Sequence, residues 1–86
     1  MKVAFYSSAF CEPCMLTRSV LAEASRLVPT ASVVELDVAR DEARAQADGI
    51  RLTPTVIIAA DDGTEVFRAE GAPTLNQVLV ALAKAV

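Results

Sequence analysis

Residues 3–14 read V-A-F-Y-S-S-A-F-C-E-P-C. The apolar run 3–6 suits a short buried strand, residues 7–10 a loop, and Pro13 the first turn of a helix. Proline is tolerated there because the first N–H groups of a helix have no partner within it. Cys11 and Cys14 therefore sit where a strand hands over to a helix. They are the only cysteines in 86 residues, and the chain contains no histidine. Such a pair can be a structural staple, half of a metal site, or a redox couple.

Position and spacing favour the redox couple. Three helical residues rise about 4.5 Å and almost complete a turn, which leaves the Cα atoms within reach of a disulfide. The closed ring is so small that it constrains little unfolded chain, so it is a poor staple. Free N–H groups and the positive end of the helix dipole stabilise a thiolate at Cys11, the attacking form of the thiol. Glu12 sets a negative charge beside it and opposes that effect. Cys14 lies one turn further in and suits a resolving role. A closed zinc site needs about four ligands, and two thiols without imidazole fall short unless two chains share a metal or cluster.

Working outward, Leu16, Val20, Leu21, Ala24, Leu27 and Val28 recur at helical spacing, and Pro29 ends the run. The β-branched stretch 32–38 predicts a second strand. Residues 41–48 predict a short helix, stopped by Gly49. The strand signal at 56–60 is the strongest in the chain. Residues 61–64 (D-D-G-T) form a turn, and 65–69 return as a strand on which Val66 and Phe67 pack. Thr74 and Gln77 form a capping box for a last helix, with Leu75, Val78, Leu79, Leu82 and Val86 as its apolar face. The order is β-α-β-α-β-β-α: an α/β domain over 1–86, with one mixed four-stranded sheet flanked by helices.

Composition bounds the function. The chain is 53% hydrophobic and 22% charged, with net charge −3, which supports one compact core. Its eight basic residues are scattered and its four aromatics do not interleave with them, which argues against nucleic acid. The N-terminal apolar run is shorter than the roughly 7–15 residues of a secretory core, and no run approaches the ~18 of a membrane span. A soluble, cytoplasmic, monomeric protein without cofactor or bound metal is expected, and in a reducing compartment C-x-x-C reads as catalytic.

The sequence resembles the thioredoxin superfamily over nearly its whole length. The resemblance rests on C-E-P-C at 11–14, E-L-D-V-A-R-D-E-A at 35–43, G-I-R-L-T-P-T at 49–55, D-G-T-E-V at 62–66 and Gly71 before the last helix. It implies a minimal thioredoxin fold and a thiol–disulfide oxidoreductase that reduces protein disulfides, with Cys11 attacking and Cys14 resolving. It also implies a cis bond before Pro54, close to the cysteines. The substrate groove would be formed by Phe10, Ala9, Glu12 and Pro13, facing Leu52, Thr53, Gly71 and Ala72. Thr53 would offer its backbone to an extended substrate. A thioredoxin-reductase-type enzyme or glutathione would recycle it.

The chain also departs from the family pattern. No strand and helix precede the C-x-x-C strand, Phe10 stands where tryptophan is usual, and Phe5 stands where a buried acid is usual. Residues 2–11 (K-V-A-F-Y-S-S-A-F-C) look like glutaredoxins and small glutaredoxin-like hydrogen donors. A glutaredoxin-like carrier, or a dedicated donor to one reductase such as ribonucleotide reductase, is therefore the second reading. Against it, T-V-P is absent and Gly71 is followed by Ala72 and Pro73 rather than Gly and Asp. The third reading is a non-catalytic binding module or metal-bridged dimer. With no acid at Phe5, Glu35 falls under the cysteine pair and has two readings: partly buried with a raised pKa, as a base toward Cys14, or a solvent-facing strand residue that pairs with a nearby Arg or Lys.

Overall fold

A computed structural model describes residues 1–86. Seven elements follow in the expected order: β1 (Lys2–Ser7), α1 (Glu12–Leu27), β2 (Ser32–Asp37), α2 (Glu42–Ala47), β3 (Thr55–Ala59), β4 (Glu65–Glu70) and α3 (Leu75–Lys84). The sheet order is β2-β1-β3-β4. β1 pairs parallel to β2 across the α1 crossover and antiparallel to β3, and the β3–β4 hairpin is antiparallel.

β1 has a neighbour on each side, and its alternation feeds two cores. Val3 and Phe5 join Leu21 and Ala24 of α1, Val56 and Ile58 of β3, and Val78 and Leu82 of α3. Tyr6 turns to the opposite face and packs with Leu36, Ala45 and Ile57 beneath α2. Helices therefore cover both faces, unequally, because α2 has only six residues.

The buried stripe of α1 is Cys14, Thr17, Leu21 and Ala24. Leu16 and Leu27, expected on the apolar face, are instead exposed. At about 100° per residue they point roughly 100–120° away from the centre of that stripe. Thr17 takes a core position because its hydroxyl donates to the carbonyl of Pro13 at 2.9 Å. α3 begins on the expected box: the Gln77 N–H donates to Thr74 Oγ1 at 3.1 Å, and the Thr74 N–H to Gln77 Oε1 at 2.9 Å. It stops at Lys84, so Val86 lies beyond the helix and is 98% exposed, while Ala85 closes the core.

The two sheet edges differ. On β4 the pairing slips between Ile58↔Phe67 and Ala59↔Glu65, so Val66 is an extra residue in the ladder, a β-bulge. Val66 and Phe67 both reach the larger core, and Glu65, Arg68 and Glu70 charge that edge. β2 is the other edge. It carries Val33 and Val34, 37% and 48% exposed, and has no bulge, proline or basic residue. Strand alternation alone does not decide whether Glu35 is covered; on this edge strand it is exposed.

Tyr6 ties β1 to α2. Its hydroxyl donates to the Asp48 carboxylate and, at 3.5 Å, to the carbonyl of Arg44. Burial, aided by the hydrogen bond to Asp48, pushes its pKa up to about 12. The fold thus favours the neutral phenol. Its contribution is complete below the ordinary value near 10 and is lost as pH rises toward about 12. Tyr6→Phe should cost about 1–2 kcal/mol at pH 7. Urea unfolding of both proteins should show that gap closing above about pH 10; a gap unchanged at pH 11 would assign it to packing.

Candidate active site

The site starts at the N-cap of α1. Cys11 has extended backbone angles, φ −106° and ψ 102°, and its Sγ accepts the N–H of Cys14 at 3.2 Å. The two cysteines form a disulfide with Cα atoms 5.2 Å apart. Cys14 is 1% exposed, inside the larger core, whereas Cys11 is partly open to solvent. The pair is therefore asymmetric: one sulfur is open to solvent and the other lies behind it. Glu12 and Pro13 complete the exposed first turn.

Phe10 precedes them with φ +56°, the left-handed region that an aromatic residue rarely enters, and its side chain is fully exposed. Strain of this kind persists where the surroundings enforce it, which is often at functional sites. Around Cys11 lies an open depression of about 490 Å³, lined by Ser8, Ala9, Phe10, Glu12, Met15 and Arg18.

A second loop is tied to this one. Ser8 Oγ and Thr53 Oγ1 lie 2.7 Å apart and share a hydrogen bond. The Thr53–Pro54 bond is cis and Pro54 is buried. The Pro54 carbonyl accepts the N–H of Gly71 at 2.8 Å, which joins the third loop. Gly71 has φ +103°, and a Cβ built on it would meet nothing within 4 Å. Glycine is thus required there by backbone conformation, not by crowding within the chain. Leu52 and Ala72 are exposed on these loops, and Thr53 is half-buried.

Glu35 has the second of the two environments considered for it, exposed and paired with an arginine. Arg18 donates to it twice, from Nε at 2.8 Å and from Nη2 at 2.6 Å, and Ser7 Oγ donates at 2.8 Å. The Arg18 guanidinium, with help from Ser7, holds its pKa below the usual carboxylate value against a smaller effect of burial. The upward shift that a base toward Cys14 would need is absent. The buried polar side chains are Ser7, Thr17 and Thr55, so no carboxylate shares the core with Cys14.

Ser8, Met15 and Arg18 are site residues that the sequence reading did not single out. A signal for two of them exists: Cys11, Met15 and Arg18 are spaced i, i+4, i+7, one flank of a helix. The clamp from Ser8 has no comparable signature.

Residues 1–84 match the thioredoxin family profile. Among solved structures, a mutant thioredoxin of Halobacterium salinarum is 25% identical, with a TM-score of 0.88 over 98% of this chain and 73% of that one. Thioredoxin 1 of Thermosipho africanus is 18% identical, with a TM-score of 0.84 over 98% of this chain and 92% of that one. A malaria-parasite thioredoxin-2 is 15% identical, with a TM-score of 0.88 over 96% of this chain and 81% of that one. No curated protein sequence matches the chain.

Two outcomes follow from this geometry. After reduction, Cys11 should react with iodoacetamide well before Cys14, as read by peptide mass spectrometry; faster labelling of Cys14 would reverse the assignment. Glu35→Gln should cost no more than about 1 kcal/mol at pH 7, because the ion pair is solvent-exposed. A carboxylate with a depressed pKa stabilises above its unfolded value and loses that contribution as pH falls through its folded one. Thermal melts of the two proteins should therefore converge as pH falls below the ordinary glutamate value of about 4.3.

Proposed function

Because the chain belongs to the thioredoxin family and is a thiol–disulfide oxidoreductase, we propose that it reduces disulfides of protein partners in a reducing, cytoplasmic compartment. The observation that carries this reading is the asymmetry of the pair, an accessible Cys11 at a helix start over a buried Cys14. No helix of the chain is long and apolar enough to cross a membrane.

In the reduced chain the Cys11 thiolate attacks one sulfur of the partner's disulfide. A bond forms between Cys11 Sγ and that sulfur, and the partner's other sulfur leaves as a thiolate. The Cys14 N–H, 3.2 Å from Cys11 Sγ in the oxidised chain, and the free end of α1 stabilise the attacking charge. Cys14, deprotonated in turn, attacks Cys11 Sγ. The internal disulfide closes and the partner's first sulfur leaves, so the partner has gained two electrons. Removal of the Cys14 proton falls to solvent or the departing thiolate, since the carboxylate of Glu35 is engaged by Arg18 and Ser7.

Phe10 borders the attacking sulfur, and the cis Thr53–Pro54 loop is tied to the same rim through Ser8; together they would hold the partner's chain on either side of its cysteine. A thioredoxin-reductase-type enzyme restores the dithiol in this reading, with glutathione the competing reductant. The chain works as a monomer and needs no cofactor of its own.

The test is reduction of insulin by the purified chain, with dithiothreitol as terminal reductant. Cys11→Ser should abolish turnover. Cys14→Ser should accumulate a mixed disulfide through Cys11 that a gel without reductant resolves. Activity retained in Cys11→Ser would overturn the scheme. Recycling by a flavin-dependent thioredoxin reductase should outpace glutathione, and the reverse would make the chain a glutaredoxin-like carrier.

A further inference from the structure

Resting on the reading that the chain reduces protein disulfides, we infer that Glu12 selects among those partners by pairing with a lysine or arginine beside the partner's reactive cysteine. The aliphatic stem of that basic side chain lies on Met15 and Leu16. A depression of about 370 Å³ on the first turn of α1 is lined by Glu12, Pro13, Met15 and Leu16. Glu12 and Met15 also line the depression around Cys11.

Charge identifies the occupant. The chain has eleven acidic side chains, and every one but Glu12 accepts a hydrogen bond within the molecule. Glu12 takes part in no ion pair either. Arg18 is the only basic residue lining either depression, and its guanidinium is held twice by Glu35. The rim of Cys11 therefore carries one unmatched negative charge, which complements a cation and repels a partner's carboxylate.

The apolar surface beside that charge fits a long basic side chain. Met15 and Leu16 follow Glu12 by three and four residues, so they are its neighbours on the helix surface, and each is 63% exposed. Lysine and arginine lay their stems along such surface and keep the charged end in water. Proximity comes from the covalent chains. Glu12 directly follows Cys11, and the residue next to the partner's cysteine has its Cα about 3.8 Å from that of the cysteine. Once the two sulfurs are joined, these neighbours are held close together, and even a weak ion pair acts as an intramolecular contact.

The test uses disulfide-linked dimers of a capped tripeptide in which cysteine sits between leucine and a variable residue, either lysine, glutamine or glutamate. At low ionic strength kcat/KM should fall in that order by about threefold per step, and the spread should shrink in about 0.5 M salt, which screens exposed charges. Glu12→Gln should remove most of the spread. Any effect of that substitution on the reactivity of Cys11 moves all three peptides together and leaves their ratios intact. Glu42→Gln removes the same charge from α2 and should keep the ordering. A spread that survives in Glu12→Gln, or that Glu42→Gln reduces equally, would overturn the assignment to Glu12. So would equal rates for the three peptides in an unaltered chain that reduces insulin; reduction of protein disulfides would then stand without charge selection. If the unaltered chain reduces neither insulin nor the peptides, the proposed reduction of protein disulfides fails first and this inference falls with it.

Discussion

The hydrogen bond from the Cys14 N–H to Cys11 Sγ sets the rest of the site. A helix must satisfy its first N–H groups, and serine, threonine, aspartate or asparagine usually does so. Here the cap is the sulfur that does the chemistry. One contact therefore starts α1, orients the attacking atom and fixes how far Cys14 lies behind it. The position of α1 follows from β1, which ends at Ser7 and leaves four residues before the first helical turn. From there the crossover carries the chain to β2, which pairs parallel to β1.

Burial divides the labour in the pair. Cys14 belongs to the same apolar cluster as Phe5, Leu21 and Val56, so the resolving sulfur is part of the core of the molecule. Chemistry and stability are consequently linked. A substitution that loosens the packing around Leu21 or Ala24 also changes how Cys14 is presented to Cys11. The second cluster, under α2, is smaller and carries the polar clamp from Tyr6 to Asp48. Separating the clusters by the sheet keeps that clamp remote from the sulfurs.

Much of this was legible in the chain itself. C-x-x-C at a strand-to-helix junction, the Asp-Gly turn at 62–63 and the box of Thr74 and Gln77 each encode a local geometry, and local geometries sum to the element order. What depends on distant partners was not legible. α1 offers two candidate apolar stripes, and the one containing Thr17 wins because the Pro13 carbonyl satisfies its hydroxyl. Periodicity alone points to Leu16 and Leu27. The pairing of Glu35 with Arg18 joins residues seventeen apart on different elements, which only the crossover brings together. Whether β2 is central or at an edge depends on what pairs with its far side, a property of the whole sheet. The left-handed backbone of Phe10 has no sequence cue, because aromatic residues seldom adopt it.

Three loops are linked in series from the rim of Cys11: Ser8 to Thr53 through their hydroxyls, and Pro54 to Gly71 through the backbone. Each link removes conformations that a docking partner would otherwise have to freeze out. The rim is therefore preorganised, and little of the association free energy is lost to ordering it. A surface prepared in this way can accept partners of differing sequence through backbone contacts and still release them promptly, since its hold on any one of them ends when the shared sulfur–sulfur bond is broken.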